Sequence, residues 1–160
     1  MKGSWRFWGV VATLPILHFF IHVGLGFSAW SPDLLTVALL LGARELRMGA
    51  AAGLGFFFGL MEDAFSVLAF GANTMAMTIV GLVGARSRDL FMGDSLLFLI
   101  SYLALGKWVR DLLHWLVSAQ DIRAPALEML LFDAPTQAIY AALAGALLIL
   151  LVGAWREPIR

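Results

Sequence analysis

The stretch Gly55–Phe65, GFFFGLMEDAF, decides what kind of chain this is. Apart from Glu62 and Asp63, every residue in it is apolar or glycine. It has the make-up of a membrane-buried helix and yet carries two adjacent carboxylates. An ionised side chain among acyl tails costs several kcal/mol unless it is paired. The segment therefore needs cations at its own height, and the rest of the chain has to supply them.

The rest of the chain is of the same character. Of its 160 residues, 61% are hydrophobic and 14% charged, with a mean hydropathy of +0.88. A soluble domain of this length cannot enclose so much apolar surface in one core, whereas lipid can receive it. The length sets a single unit, residues 1–160. Eleven basic and eleven acidic residues cancel, and no basic tail or patch is present to follow phosphates, which argues against a nucleic-acid partner. Without cysteine the chain has neither a disulfide framework nor a thiolate site.

Glycine, proline and charge divide the sequence into about six apolar segments, predicting an all-α, polytopic membrane bundle of about six transmembrane helices. The first runs over Phe7–Phe27, too long for the hydrophobic region of a signal peptide, and is expected to remain as a span. The second opens at Ser31-Pro32-Asp33, a helix-start signal with Ser31 as N-cap, and ends at Ala43. The third covers Met48–Phe70 and closes at Gly71; the fourth is Asn73–Ala85, the fifth Met92–Val117 and the sixth Pro135–Trp155. Segments two and four are short for a hydrocarbon core of about 30 Å, so each is expected to tilt or to insert only partly. Pro125–Asp133 is too short to cross and predicts a separate interfacial or re-entrant helix.

With six crossings, Lys2, Arg6, Arg44, Arg47, Arg86, Arg88, Arg156 and Arg160 fall on one side and only Arg123 on the other. The positive-inside rule then places both termini in the cytoplasm. Trp5, Trp8, Trp30 and Trp155 fall near span ends, as interfacial aromatic residues do.

The intramembrane charges collect at one level. At about 1.5 Å per residue, Asp63 lies about 22 Å up the third span, and Lys107, Arg110, Asp111 and His114 lie at about 18–28 Å in the fifth. His18 and His22 reach a similar height in the first, and Asp33 and Asp133 sit at the outer ends of the second and sixth. Gly55, Gly59 and Asp63 recur every four residues, with Glu62 beside them, so they share one stripe where another helix approaches closely. Gly49 and Gly53 make a second stripe, which predicts a central third helix with neighbours on two sides. Lys107, Arg110, Asp111 and His114 follow i, i+3, i+4, i+7 on one face. The economical pairing is Glu62 and Asp63 with Lys107 and Arg110. It serves either as a structural ion network or as a polar pocket.

No catalytic signature is present: there is no GxSxG, no HExxH, no phosphate-binding glycine loop and no cysteine nucleophile, so an enzyme is not expected. His18 and His22 have chelate spacing but no third ligand, so no metal or cofactor is expected, and the pair reads as structural or partner-facing. Asp33 and Asp133, beside Pro32 and Pro135, read as helix caps.

Pro32-Asp33-Leu34-Leu35 at the start of segment two, Gly55-Phe56, Gly59-Leu60 and Asp63 in segment three, Gly71 with Asn73 opening segment four, and Arg86 closing it form an ordered set. In that order and spacing the chain resembles the bacterial rod shape-determining MreD family, well over residues 30–90 and elsewhere by layout. Glu62 beside Asp63 and the density of charge in segment five depart from the family pattern. The resemblance implies a non-enzymatic, multi-pass protein of the bacterial inner (plasma) membrane that belongs to the elongasome and supports side-wall peptidoglycan synthesis and cell shape. It implies MreC as direct partner, with RodA, a class B penicillin-binding protein and MreB reached through it. The implied fold is similar to the S-components of energy-coupling-factor transporters. That similarity motivates an alternative, a small-molecule-binding transport component with an outward cavity capped by Ala119–Ala126. In the leading scaffold reading, Asp63→Leu is expected to weaken co-purification with MreC and to leave insertion intact.

Overall fold

The computed structural model describes residues 5–24, 31–66, 69–87 and 95–152. Among them are six helices and no strand. α1 is Trp5–Phe19, widening into a π turn over Phe20–Gly24, and α2 is Leu34–Glu45. α3 is Met48–Asp63, α4 Ala72–Ser87, α5 Leu96–Val117 and α6 Ala126–Val152. Lys2, Trp30, Arg88, Trp155, Arg156 and Arg160, together with the expected ends of segments one and six and the expected start of segment five at Met92, lie outside the described residues.

α2 is the axis of the bundle. Each residue from Leu34 to Ala43 is buried, and α1, α3, α4, α5 and α6 all pack against it. A helix apolar on every side is a core helix, and at about 18 Å it is as short as one. This corrects the expectation that α3 is central. α3 packs along α4 and only lightly on α2. Gly49 and Gly53 are exposed, and nothing lies within 4 Å of a Cβ built on either, so the second glycine stripe has no neighbour among the described residues. The close approach to α4 instead extends along the first stripe to Ala51, which lies four residues before Gly55 and whose carbonyl meets Gly81 of α4.

The first stripe packs as its spacing predicts. A Cβ on Gly59 would come within 2.5 Å of the Thr74 Cα and 2.6 Å of the Asn73 carbonyl oxygen, and one on Gly55 would strike the Met77 carbonyl. Because the obstacles are backbone, Gly59→Ala must push α3 and α4 apart, at about 2–3 kcal/mol. Gly53→Ala meets open space and is expected to be neutral or to stabilise by up to about 1 kcal/mol through helix propensity. Thermal unfolding of the two variants in detergent checks the contrast. Equal melting temperatures would contradict this packing.

Helix ends follow local chemistry, with four shifts from the sequence expectation. Asp33, rather than Ser31, is the N-cap of α2: its Oδ1 accepts from the Thr36 N–H at 2.9 Å and its Oδ2 from the Thr36 hydroxyl at 2.7 Å. α3 stops at Asp63, short of the expected Phe70, because that carboxylate turns to bind the start of α4. Pro125–Asp133 is not a separate interfacial helix. It continues into α6 through a π turn at Met129–Asp133. Pro135 lacks the N–H that an α-helix needs, and a widened turn just ahead of it lets the helix run on. Asp133 therefore sits inside a continuous 27-residue helix and is not its N-cap.

Two helical stretches, Trp5–Val23 and Ala126–Val152, are long and apolar enough to cross a membrane. Outward faces are apolar on the other helices too, including Phe56, Phe57 and Leu60 on α3 and Leu97, Leu105 and Leu116 on α5.

Candidate functional site: a polar chamber at one end of the bundle

Consecutive helices run antiparallel, so the end of α1, the starts of α2 and α4, the end of α3, the second half of α5 and the first turns of α6 meet at one end. All but α4 there line an open cavity of about 270 Å³. Its walls carry His18 and His22 from α1, Asp33 from α2 and Glu62 from α3. α5 adds Lys107, Arg110 and Asp111, and α6 adds Asp133 and Gln137.

Arg110 organises one wall. Its NH2 donates to Glu62 Oε1 and to Asn73 Oδ1, both at 2.6 Å, and its NH1 donates to Asp111 Oδ1 at 3.2 Å. Lys107 donates to both Asp111 oxygens, at 2.5 and 2.6 Å, and lies 3.5 Å from Asp33 Oδ2. The expected pairing of Glu62 with Arg110 is present. That of Asp63 with Lys107 or Arg110 is not.

Asp63 is fully buried, at 0% exposure, and does not line the cavity. Its Oδ2 accepts from the Gly71 and Thr74 N–H groups, both at 2.9 Å, and from the Thr74 hydroxyl at 2.6 Å. Its Oδ1 accepts from the Asn73 N–H at 3.2 Å. Gly71, at φ +93°, supplies the left-handed turn that aims these donors back at α3. The carboxylate is thus held by the free N–H groups at the start of α4 and by that helix's positive end, with no cation needed. Adjacent carboxylates take different partners because neighbours on a helix point about 100° apart.

The two histidines stack, with ring centroids 4.4 Å apart and planes at 21°. His22 Nδ1 lies 2.6 Å from the Ser31 hydroxyl. His18 is 3% exposed, and its Nδ1 has no hydrogen-bond partner. Glu62 Oε2 and Arg110 Nε are likewise buried and unpartnered. Among the described residues no three His, Asp or Glu side chains gather as metal ligands. His114 is not among the lining residues, although it shares their face of α5.

The expected cap over the cavity is not formed by Ala119–Ala126. That loop folds back on α5: Arg123 donates through Nε to the Ser118 carbonyl at 2.7 Å and through NH2 to the Leu116 carbonyl at 2.5 Å, closing the C-terminal end of α5. The wall is completed by Met129, Asp133, Ala134 and Gln137 of α6. Sequence reasoning missed Gln137, which stands four residues after Asp133 and so shares its face. It also missed Asn73 as a partner of Arg110. That role follows once α3 and α4 form a hairpin, because the hairpin brings the end of one helix to the start of the other.

Comparison with known protein families, curated proteins and solved structures finds no match.

Proposed function

We propose that this chain is a multi-pass membrane scaffold of the MreD type, which crosses the bilayer six times and holds a partner at its polar end in the cell-elongation machinery. The observation that carries this is the chamber. It is lined by five of the helices, open to one side and large enough to take a side chain, yet some polar atoms of its lining residues have no partner within the chain. Buried polar groups in a finished fold are satisfied, so unsatisfied ones in a cavity await something from outside.

Six crossings are supported by the antiparallel run of consecutive helices and by the apolar outward faces of α3, α5 and α6, which exceed what a soluble monomer leaves bare. The short α2 fits the same arrangement because it is ringed by protein and need not match the bilayer. Arg44 and Arg86, near the ends of α2 and α4, stand at the opposite pole from the chamber, as a cytoplasmic rim requires. The residues that carry the family resemblance also work together: Asp33 caps α2, Gly55 and Gly59 seat α3 on α4, and Asp63 binds the turn from Gly71 to Thr74.

At about 270 Å³ the chamber has room for one side chain. The test is affinity purification of the tagged chain from bacterial membranes that also hold MreC. Co-purification is expected, with rod cells rounding when the protein is depleted. A purified chain free of MreC, in cells that keep their shape, would overturn the reading.

A further inference from the structure

The chamber is not electrically balanced. Asp33, Glu62 and Asp111 face Lys107 and Arg110, which leaves one formal negative charge in excess, and the exposed Asp133 on the rim makes it two. Uncompensated charge under low-dielectric walls is costly, and either a proton on a carboxylate or a bound counter-charge removes the cost.

The unpartnered atoms fit the same sign. Glu62 spends only Oε1 on Arg110, and its Oε2 is buried without a donor. His18 faces the cavity, is 3% exposed, and has an Nδ1 that bonds to nothing. In the neutral tautomer that carries its proton on Nε2, the imidazole offers an acceptor there. Gln137 adds an amide on the α6 side. The unused donor, Arg110 Nε, asks in addition for one acceptor oxygen close to the cation. A metal ion does not meet these terms, because no ligand set for one gathers among the described residues.

The geometry points to a chamber that binds one organic cation, an ammonium or guanidinium group carried next to an amide or carbonyl oxygen. A lysine or arginine residue within a peptide has that chemistry, and so does a free amino amide. At about 30 Å³ per water, the cavity takes on the order of nine waters or one such side chain. The cation would sit against the Glu62 and Asp133 carboxylates beside His18, with its carbonyl on the Arg110 side. This deepens the scaffold reading by naming the chemistry of the group received, but it depends only on the chamber and not on which protein supplies that group.

The test uses the full chain in detergent with three probes of matched size: N-acetyl-arginine amide, its neutral isostere N-acetyl-citrulline amide, and N-acetyl-glutamate amide. The arginine probe is expected to raise the melting temperature saturably, while the other two leave it unchanged. Glu62→Gln and Asp133→Asn are each expected to weaken the arginine probe by about tenfold. Asp133 is exposed, so its variant reports charge without disturbing the core. Equal protection by the citrulline probe, better protection by the glutamate probe, no protection by any, or unchanged affinity in both variants overturns the inference. Where the variants do lose the probe, the source of the cation is read from co-purification with MreC. If co-purification is lost with the probe, the partner supplies the cation; if it is retained, a free amine does. An absent partner with intact arginine binding removes the scaffold reading and leaves the cation site standing.

Discussion

Asp63→Ala is expected to lower the stability of the folded chain by about 4 kcal/mol, the largest effect of any single change in the α3–α4 hairpin. One fully buried carboxylate accepts from the Gly71, Asn73 and Thr74 N–H groups and from the Thr74 hydroxyl. Removing it leaves several buried donors without an acceptor, and each loses a charge-assisted bond that water cannot replace inside the bundle. It also removes the negative group that faces the positive end of α4. Asp63→Asn keeps the size but turns an NH2 toward backbone donors, so it is expected to recover less than half of the loss. Thr74→Val removes one hydroxyl donor and should cost about 1 kcal/mol. Thermal or denaturant unfolding in detergent measures the series. An alanine variant as stable as the parent would mean that the α4 start is held by something else. With the expected loss of stability, the loss of MreC co-purification anticipated for Asp63→Leu reports collapse of the hairpin, because Asp63 does not reach the chamber. Glu62 and Asp133 are the positions that test binding.

Arg110→Met is expected to cost about 3–5 kcal/mol. The guanidinium bridges Glu62, Asn73 and Asp111, so it ties the α3–α4 hairpin to α5. Its removal strands the Glu62 carboxylate under low-dielectric walls, while Asp111 retains Lys107. Most of the penalty belongs to the stranded charge, not to the loss of a strong bond. The double variant Arg110→Met, Glu62→Met is therefore expected to regain most of the stability, because an apolar pair replaces a buried ion pair at little net cost. Arg110→Lys retains the charge but not the fork that reaches Glu62 and Asn73 together, and should fall between. Melting temperatures of the parent, Arg110→Met, Glu62→Met and the double variant form a double-mutant cycle. A double variant as unstable as Arg110→Met alone would show that the guanidinium contributes through packing and not through charge.

Several features were legible from residue type and spacing alone. A run of apolar segments broken by Gly, Pro and charge gave the helices, since hydrophobic content and helix breakers are local properties. The Gly55–Gly59 stripe was readable because four-residue spacing fixes a helix face whatever packs on it. The convergence of Glu62 with Lys107 and Arg110 followed from antiparallel helices and a constant rise per residue. The same arithmetic could not tell Glu62 from Asp63. Height along a helix is set by sequence, but which neighbour lies across a given face is set by how the helices are arranged.

The sequence by itself determined that the chain is helical and strongly apolar, and that the charges within its apolar segments gather at one level, because these depend on composition and helical period. Only the tertiary structure decided that α2 is the axis, that the Gly49–Gly53 stripe has no neighbour among the described residues, that Asp63 caps a helix while Glu62 faces a cavity, and that Pro125–Asp133 belongs to α6. Each of those is a contact between residues distant in sequence or a backbone adjustment around proline. Such features arise from competition among several packing partners, which spacing along one helix does not record.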